Sequence, residues 1–125
     1  MSITILFVGF NRPELTLRVL KQFRDLPRTQ IFFSIDKAHP ANSSSHKNMQ
    51  VIDLVIDFQK TTHHETRVLI QAENVGCNQN TLSGMDFLLS MYPSGVLIED
   101  DCEFRNEYIQ FLNGNFSNID DSNQR

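Results

Sequence analysis

Four short runs of β-branched, aliphatic and aromatic residues constrain this chain most: "ITILFVG" from Ile3, "QIFFSID" from Gln30, "TRVLIQA" from Thr66 and "GVLIE" from Gly95. Each run is continuous rather than alternating, as strands covered on both faces read, and parallel strands are usually covered that way. The segments between them are long enough for crossover helices. Leu15, Val19, Phe23 and Leu26 recur at helical spacing between Pro13 and Pro27, with Pro13 and Glu14 suited to a first turn. Met49, Ile52, Val55 and Ile56 set one apolar helical face, and Leu82, Met85, Leu89 and Tyr92 set another that stops at Pro93. "KAHPANSSSHKN", "QKTTHHE" and "ENVGCNQN" read as connections, with Gly76 free to take a positive φ. Residues 106–116 are expected to form a last amphipathic helix capped by Asn106, and residues 118–125 a frayed polar tail. The order βαβαβαβα predicts an α/β domain with a Rossmann-like, mostly parallel sheet and alternating helices.

A chain of 125 residues supports one core, so one domain is expected over residues 1–117. Its composition, 40% apolar with ten Phe and no Trp, is that of a globular protein with a Phe-rich interior. Eleven basic against fifteen acidic residues, with no basic block, argue against a nucleic-acid partner. "MSITILFVGF" lacks a basic leader and is too short to span a bilayer, so no transmembrane segment is expected. Cys77 and Cys102 fall in no metal-ligand or redox spacing; they read as small apolar fillers, and a reducing cytoplasm is the expected location. No GxGxxG or GxxxxGK[ST] follows the first strand, which argues against a dinucleotide fold of the usual type and against a P-loop enzyme.

Ligands of parallel sheets bind beyond the carboxyl ends of the strands. Those ends carry "GFNR" at 9–12, "SIDK" at 34–37, "AENVG" at 72–76 and "EDDCE" at 99–103. Glu99, Asp100 and Asp101 repel one another and lose solvation if partly buried, so water or a cation must compensate them. They form either a solvated turn or oxygen ligands for a hard ion such as Mg²⁺ or Mn²⁺ that completes its shell with water and substrate phosphates. Asp36 is either a strand-terminal turn residue or an acceptor for a ribose or base. Asn11 and Arg12 are either a helix cap and a surface charge or contacts to a phosphate or base. His39 and His46 lie in a loop, and His63 and His64 precede the third strand at the opposite rim; none of the four is expected to act on a ligand.

Together "ILFVGFNRPELTLRVLKQF", "IFFSIDK", "NVGCNQNTLSGMDFLLS" and "GVLIEDDCEFRNEYIQFL" resemble the amino-terminal half of a GT-A glycosyltransferase, over roughly residues 3–112. The likeness is to N-acetylglucosaminyltransferase I and related bacterial proteins, in which an "EDD" plays the part of the DxD motif. It implies that Asp101 coordinates the divalent ion, Mn²⁺ or Mg²⁺, bridging the donor diphosphate, with Glu99 and Asp100 on the ribose or sugar side. It further implies that Asp36 reads the uracil of a UDP-sugar and that Phe10, Asn11 and Arg12 line the base and phosphate pocket. The implied activity is sugar transfer to an acceptor hydroxyl. Such enzymes need further strands and an acceptor region after the triplet, so the fold is expected to be incomplete at its carboxyl end, with no candidate for a catalytic base. A non-catalytic nucleotide-sugar-binding or interaction module is the rival expectation, and the uncovered sheet edge predicts self-association.

Overall fold

The structure, a computed structural model, describes residues 3–101. Cys102, the helix expected over 106–116 with its Asn106 cap, and the tail 118–125 lie outside the described residues. In chain order the elements are β1 (Thr4–Gly9), α1 (Pro13–Arg24), β2 (Gln30–Ile35), α2 (Ser45–Thr61), β3 (Glu65–Ile70), α3 (Cys77–Leu89) and β4 (Val96–Glu99). The alternation expected from the sequence is therefore present, and every strand pairing is parallel, in the order β3-β2-β1-β4. The ladders end in step. Gly9 lies opposite Ile35, Val8 opposite Glu99, and Ile35 opposite Ile70, so all four strands deliver the following residues to one rim.

Because side chains alternate along a strand, the continuous apolar runs supply two cores. Ile5, Phe7, Ile31, Phe33, Ile35 and Ile98 face α1 and α2, whose Val19, Leu20, Phe23, Val51, Val55 and Phe58 pack against them. Phe7, Phe23, Phe33 and Phe58 meet at centroid distances of 5.6–6.4 Å with strongly inclined rings, a geometry that suits the aromatic quadrupole. On the other face, Leu6, Val8 and Phe32 meet Leu88 of α3, with Phe87 and Tyr92 edge-on to Phe32. This second core is smaller.

Two helices differ from expectation in extent and facing. α2 begins at Ser45, inside the serine stretch read as a loop, and continues through Thr61 into "QKTTHHE". Nothing after Pro40 forbids a helix there, and serines are at home near a helix start. Its inward face is Asn48, Val51, Ile52, Val55 and Phe58, while Met49 is exposed. α3 begins at Cys77, so "CNQN" is its first turn, and its inward residues are Asn80, Gly84 and Leu88. Leu82, Met85 and Leu89, expected to face the core, are 40–53% exposed. The cause is the sheet beneath: it presents Ser34 there, which pairs with Asn80, and a Cβ on Gly84 would lie 2.7 Å from that of Ser34. Gly76 takes φ 88 before α3, as anticipated. Among the described residues, no helix is long and apolar enough to cross a membrane.

Candidate functional site

The chain runs from β1 outward to β2 and β3, then returns to place β4 on the far side of β1. Where the order of strands reverses, the loops after the two neighbouring strands diverge and leave a crevice at their carboxyl ends. β1 and β4 are that pair. A cleft of about 480 Å³ opens there, and all seven rim residues singled out in the sequence line it: Phe10, Asn11 and Arg12 after β1, Asp36 after β2, and Glu99, Asp100 and Asp101 after β4. A hollow of about 570 Å³ between α1 and α2 is larger, but its Leu17 and Leu54 floor and exposed Glu14, Asp53 and Asp57 stand on helix surfaces, apart from the strand ends.

Asp36 is only 3% exposed, and its carboxylate is fully engaged. One oxygen accepts the backbone N–H of Lys37 at 2.8 Å and of Val75 at 3.0 Å; the other accepts Gly76 N–H at 3.0 Å and Asn74 Nδ2 at 3.3 Å. Four donors fill the acceptor capacity of a carboxylate. The geometry thus gives Asp36 the task of fastening the 74–76 loop, and with it the start of α3, to the end of β2. Two buried asparagines extend this frame. Asn48 donates to Phe10 O and Asp36 O, both at 2.8 Å, and accepts Ala38 N–H at 3.0 Å, tying the ends of β1 and β2 to α2. Asn80 Oδ1 accepts from Ser34 Oγ at 2.8 Å and Gln71 Nε2 at 3.2 Å, while its Nδ2 donates to Ser34 O at 3.2 Å. Asn11, which the sequence left as a helix cap or a ligand contact, does not cap α1; it lines the cleft and donates to Ser44 Oγ at 2.9 Å.

The mouth of the cleft is where charge gathers. α1 and α3 both start at its wall, after Arg12 and Gly76, and neither has a side-chain cap. Helix starts carry partial positive charge and so favour anions; at α3 the Asp36 carboxylate already takes part of that role by accepting Gly76 N–H, and α1 opens on Pro13, which has no N–H to offer. Facing them, Asp100 Oδ1 and Asp101 Oδ2 each lie 3.8 Å from Arg12 Nη1. Burial pushes the Asp100 carboxyl above the usual carboxylate range; Arg12 opposes the shift, and the charges of Asp101 and Glu99 add to it. No family model, curated protein or solved structure matches this chain.

Among the described residues no group of three or more His, Cys, Asp or Glu side chains gathers closely enough to hold a metal ion alone. What is present is a pair of carboxylates converging on one cationic group. That donor set fits an ion that takes most of its oxygen ligands from water and a bound phosphate, as Mg²⁺ and Mn²⁺ commonly do. Cys77, read from the sequence as a small apolar filler, is exposed on the cleft wall. His39 and His46 are exposed and do not line the cleft. His63 and His64 hold the opposite end of the sheet, where His64 accepts Thr29 N–H through Nδ1 at 3.1 Å. Asn48, Asn74 and Asn80 were not singled out in the sequence; for Asn48 and Asn80 the available signal was a polar residue at an inward helical position, which says nothing of the strand end it joins, and Asn74 stood only within the loop segment "AENVG".

Proposed function

We propose that this chain is the donor-binding portion of a metal-dependent glycosyltransferase of GT-A type, taking a nucleotide-diphosphate sugar, a UDP-sugar first of all. The supporting observation is one cleft at the switch point of a parallel sheet that combines two uncapped helix starts and a guanidinium with a carboxylate pair opposite. The first three favour a diphosphate, and the acids favour the divalent ion that accompanies it. In this reading Asp101 is the protein ligand of Mn²⁺ or Mg²⁺, Glu99 and Asp100 contact the ribose or sugar side, and Phe10, Asn11 and Arg12 line the base and phosphate pocket. Asp36, with four donors on its carboxylate, serves by holding the 74–76 loop in place. The bound ion supplies Lewis acidity toward the charge that builds on the leaving diphosphate.

Titration of the full chain with UDP, with and without Mn²⁺, tests this. Mn²⁺ is expected to tighten UDP by about tenfold or more, the ion being the largest local charge in such a site. Asp101→Ala is expected to abolish that enhancement while leaving the circular-dichroism spectrum unchanged. Absence of metal-dependent binding at millimolar UDP overturns the proposal, and an Asp101→Ala protein that binds both partners normally overturns the assignment of Asp101. Transfer or hydrolysis of a UDP-sugar separates an enzyme from a binding module.

A further inference from the structure

The hollow between α1 and α2 takes no part in the cleft, and its chemistry is of another kind. The two helices run side by side in the same direction, joined near their ends by Arg24 Nη2, which donates to Thr61 Oγ1 at 2.9 Å. Toward their first halves they leave a groove of about 570 Å³, with Pro13, Glu14 and Leu17 on the α1 side and Gln50, Asp53, Leu54 and Asp57 on the α2 side. Leu17 is 41% exposed, so the apolar floor is open to water. No lysine, arginine or histidine lines the groove. Among the described residues no ion pair reaches Glu14, Asp53 or Asp57, whereas the cleft acids have Arg12. Nor do acids gather anywhere among those residues closely enough to hold a metal ion, so the complement of this groove is a set of cations spread along it. Asp53 and Asp57 stand one helical turn apart, about 6 Å along the axis of α2. Glu14 faces them from the first turn of α1.

We propose that the groove between α1 and α2 is a docking site for a basic amphipathic helix of a partner protein, which lays an apolar stripe on Leu17 and Leu54 between lysines or arginines that face Glu14, Asp53 and Asp57. Charge complementarity selects this occupant. Basic side chains one turn apart on one flank of such a helix match Asp53 and Asp57, and one on the other flank matches Glu14. A neutral or acidic helix would take three carboxylates out of water with no counter-charge, at a cost that the small apolar floor does not offset. The two kinds of contact divide the work: burial of the apolar stripe holds the helix in the groove, as in other helix-in-groove complexes, while the charges speed encounter and exclude wrong partners. The site shares no lining residue with the cleft and does not depend on what the cleft binds.

Fluorescence anisotropy of the full chain with a fluorescein-labelled peptide of about 14 residues, carrying Leu at helical spacing and Lys on both flanks, tests the docking. The wild type is expected to bind it saturably, more weakly as salt is raised, and to ignore the same peptide with Glu in place of Lys. Asp53→Asn combined with Asp57→Asn is expected to weaken binding about three- to tenfold, as the loss of two exposed ion pairs does, and to flatten the salt dependence. Leu17→Gln should weaken it by about three- to tenfold as well, but with the salt dependence kept. All three positions are exposed, so these changes leave the fold intact. Glu73→Gln combined with Asp86→Asn removes as much charge from other exposed positions and should bind as the wild type does. A wild type indifferent to the Lys peptide, or one that takes the Glu peptide equally well, overturns the proposal. Equal weakening in the Glu73 and Asp86 variant overturns it too, since the attraction would then be to an acidic protein at large. So does a chain whose self-association, and not its peptide binding, is lost in Leu17→Gln, because a second copy would then occupy the groove.

Discussion

His64 shows how much a single side chain settles at the end of the sheet away from the cleft. Its Nε2–H donates to Phe23 O at 2.6 Å and its Nδ1 accepts Thr29 N–H at 3.1 Å, so the neutral ring joins the last turn of α1 to the start of β2. The ring also stacks on Phe58 and lies 4.0 Å from the ring of His63. Burial lowers its pKa; the bond to Phe23 O opposes the shift, and the charges of His63, Arg24 and Arg28 add to it. Protonation would place a second N–H where Nδ1 now accepts one. Below the ordinary histidine pKa of 6.5 the unfolded chain thus takes up a proton that the folded protein refuses. This contribution is full above that value and is lost as the pH falls from it toward the lowered folded value. Urea denaturation between pH 5 and 7.5 is expected to show that decline in the wild type. His64→Gln should lack this part of the slope while being less stable overall by about 1–3 kcal/mol, since Thr29 N–H loses its partner. Equal pH slopes in the two proteins would remove His64 from the account. The sequence placed both histidines at this rim, because they precede a strand. It was silent on the bridge, which depends on α1 ending beside β2. The same holds for Asn48 and Asn80, whose side-chain partners lie 9 to 71 residues away in the chain.

At the scale of elements, α3 is set by closeness rather than by apolar area. Glycine inside a helix usually weakens it, and replacement by alanine at an open position stabilises by about 0.5–1 kcal/mol. At Gly84 the sign reverses: a Cβ would stand 2.7 Å from Ser34 Cβ and 2.9 Å from Leu6 Cδ1, so α3 must move off the sheet. That movement would disturb the Ser34 and Asn80 bonds and, through the α3 start, the cleft wall. Gly84→Ala is expected to cost about 1–3 kcal/mol in denaturant unfolding and to weaken nucleotide binding. A variant as stable as the wild type would show that α3 is not held by this contact. Strand identity and helix order were legible because continuous apolar runs and proline stops are local properties. The facing of α3 was not, since Leu82, Met85 and Leu89 make the stronger apolar stripe and only the position of Ser34 in the sheet turns Asn80 and Gly84 inward. For the cleft, the sequence placed each residue at a strand end but left open that the loops after β1 and β4 are neighbours, because strand order is a tertiary property.

For the molecule as a whole, the two sheet edges are unequal. β3 at one edge alternates exposed Glu65 and Arg67 with partly buried residues, and such charges discourage pairing with another chain. β4 at the other edge has Leu97 44% exposed, and Leu82, Met85 and Leu89 of α3 are exposed on the same side of the domain. Leu97, Met85 and Leu89 share an apolar groove with Leu88 and Val96. Among the described residues no charged side chain lies on β4 before Glu99, which belongs to the cleft. Among the described residues no further strand pairs with β4, and an edge without charges can pair with another strand; a second copy supplies the same edge and the same apolar strip. The full chain is therefore expected to associate with itself as concentration rises, as seen by sedimentation equilibrium. Leu97→Lys should shift the equilibrium toward monomer by about tenfold or more, because a charge on the edge must be desolvated for pairing to occur. Leu97 is already half in water, so the unfolding midpoint should change little. Association that persists unchanged in Leu97→Lys would place the contact elsewhere on the surface, and a wild type monomeric at all accessible concentrations would show that this edge is closed to a second copy.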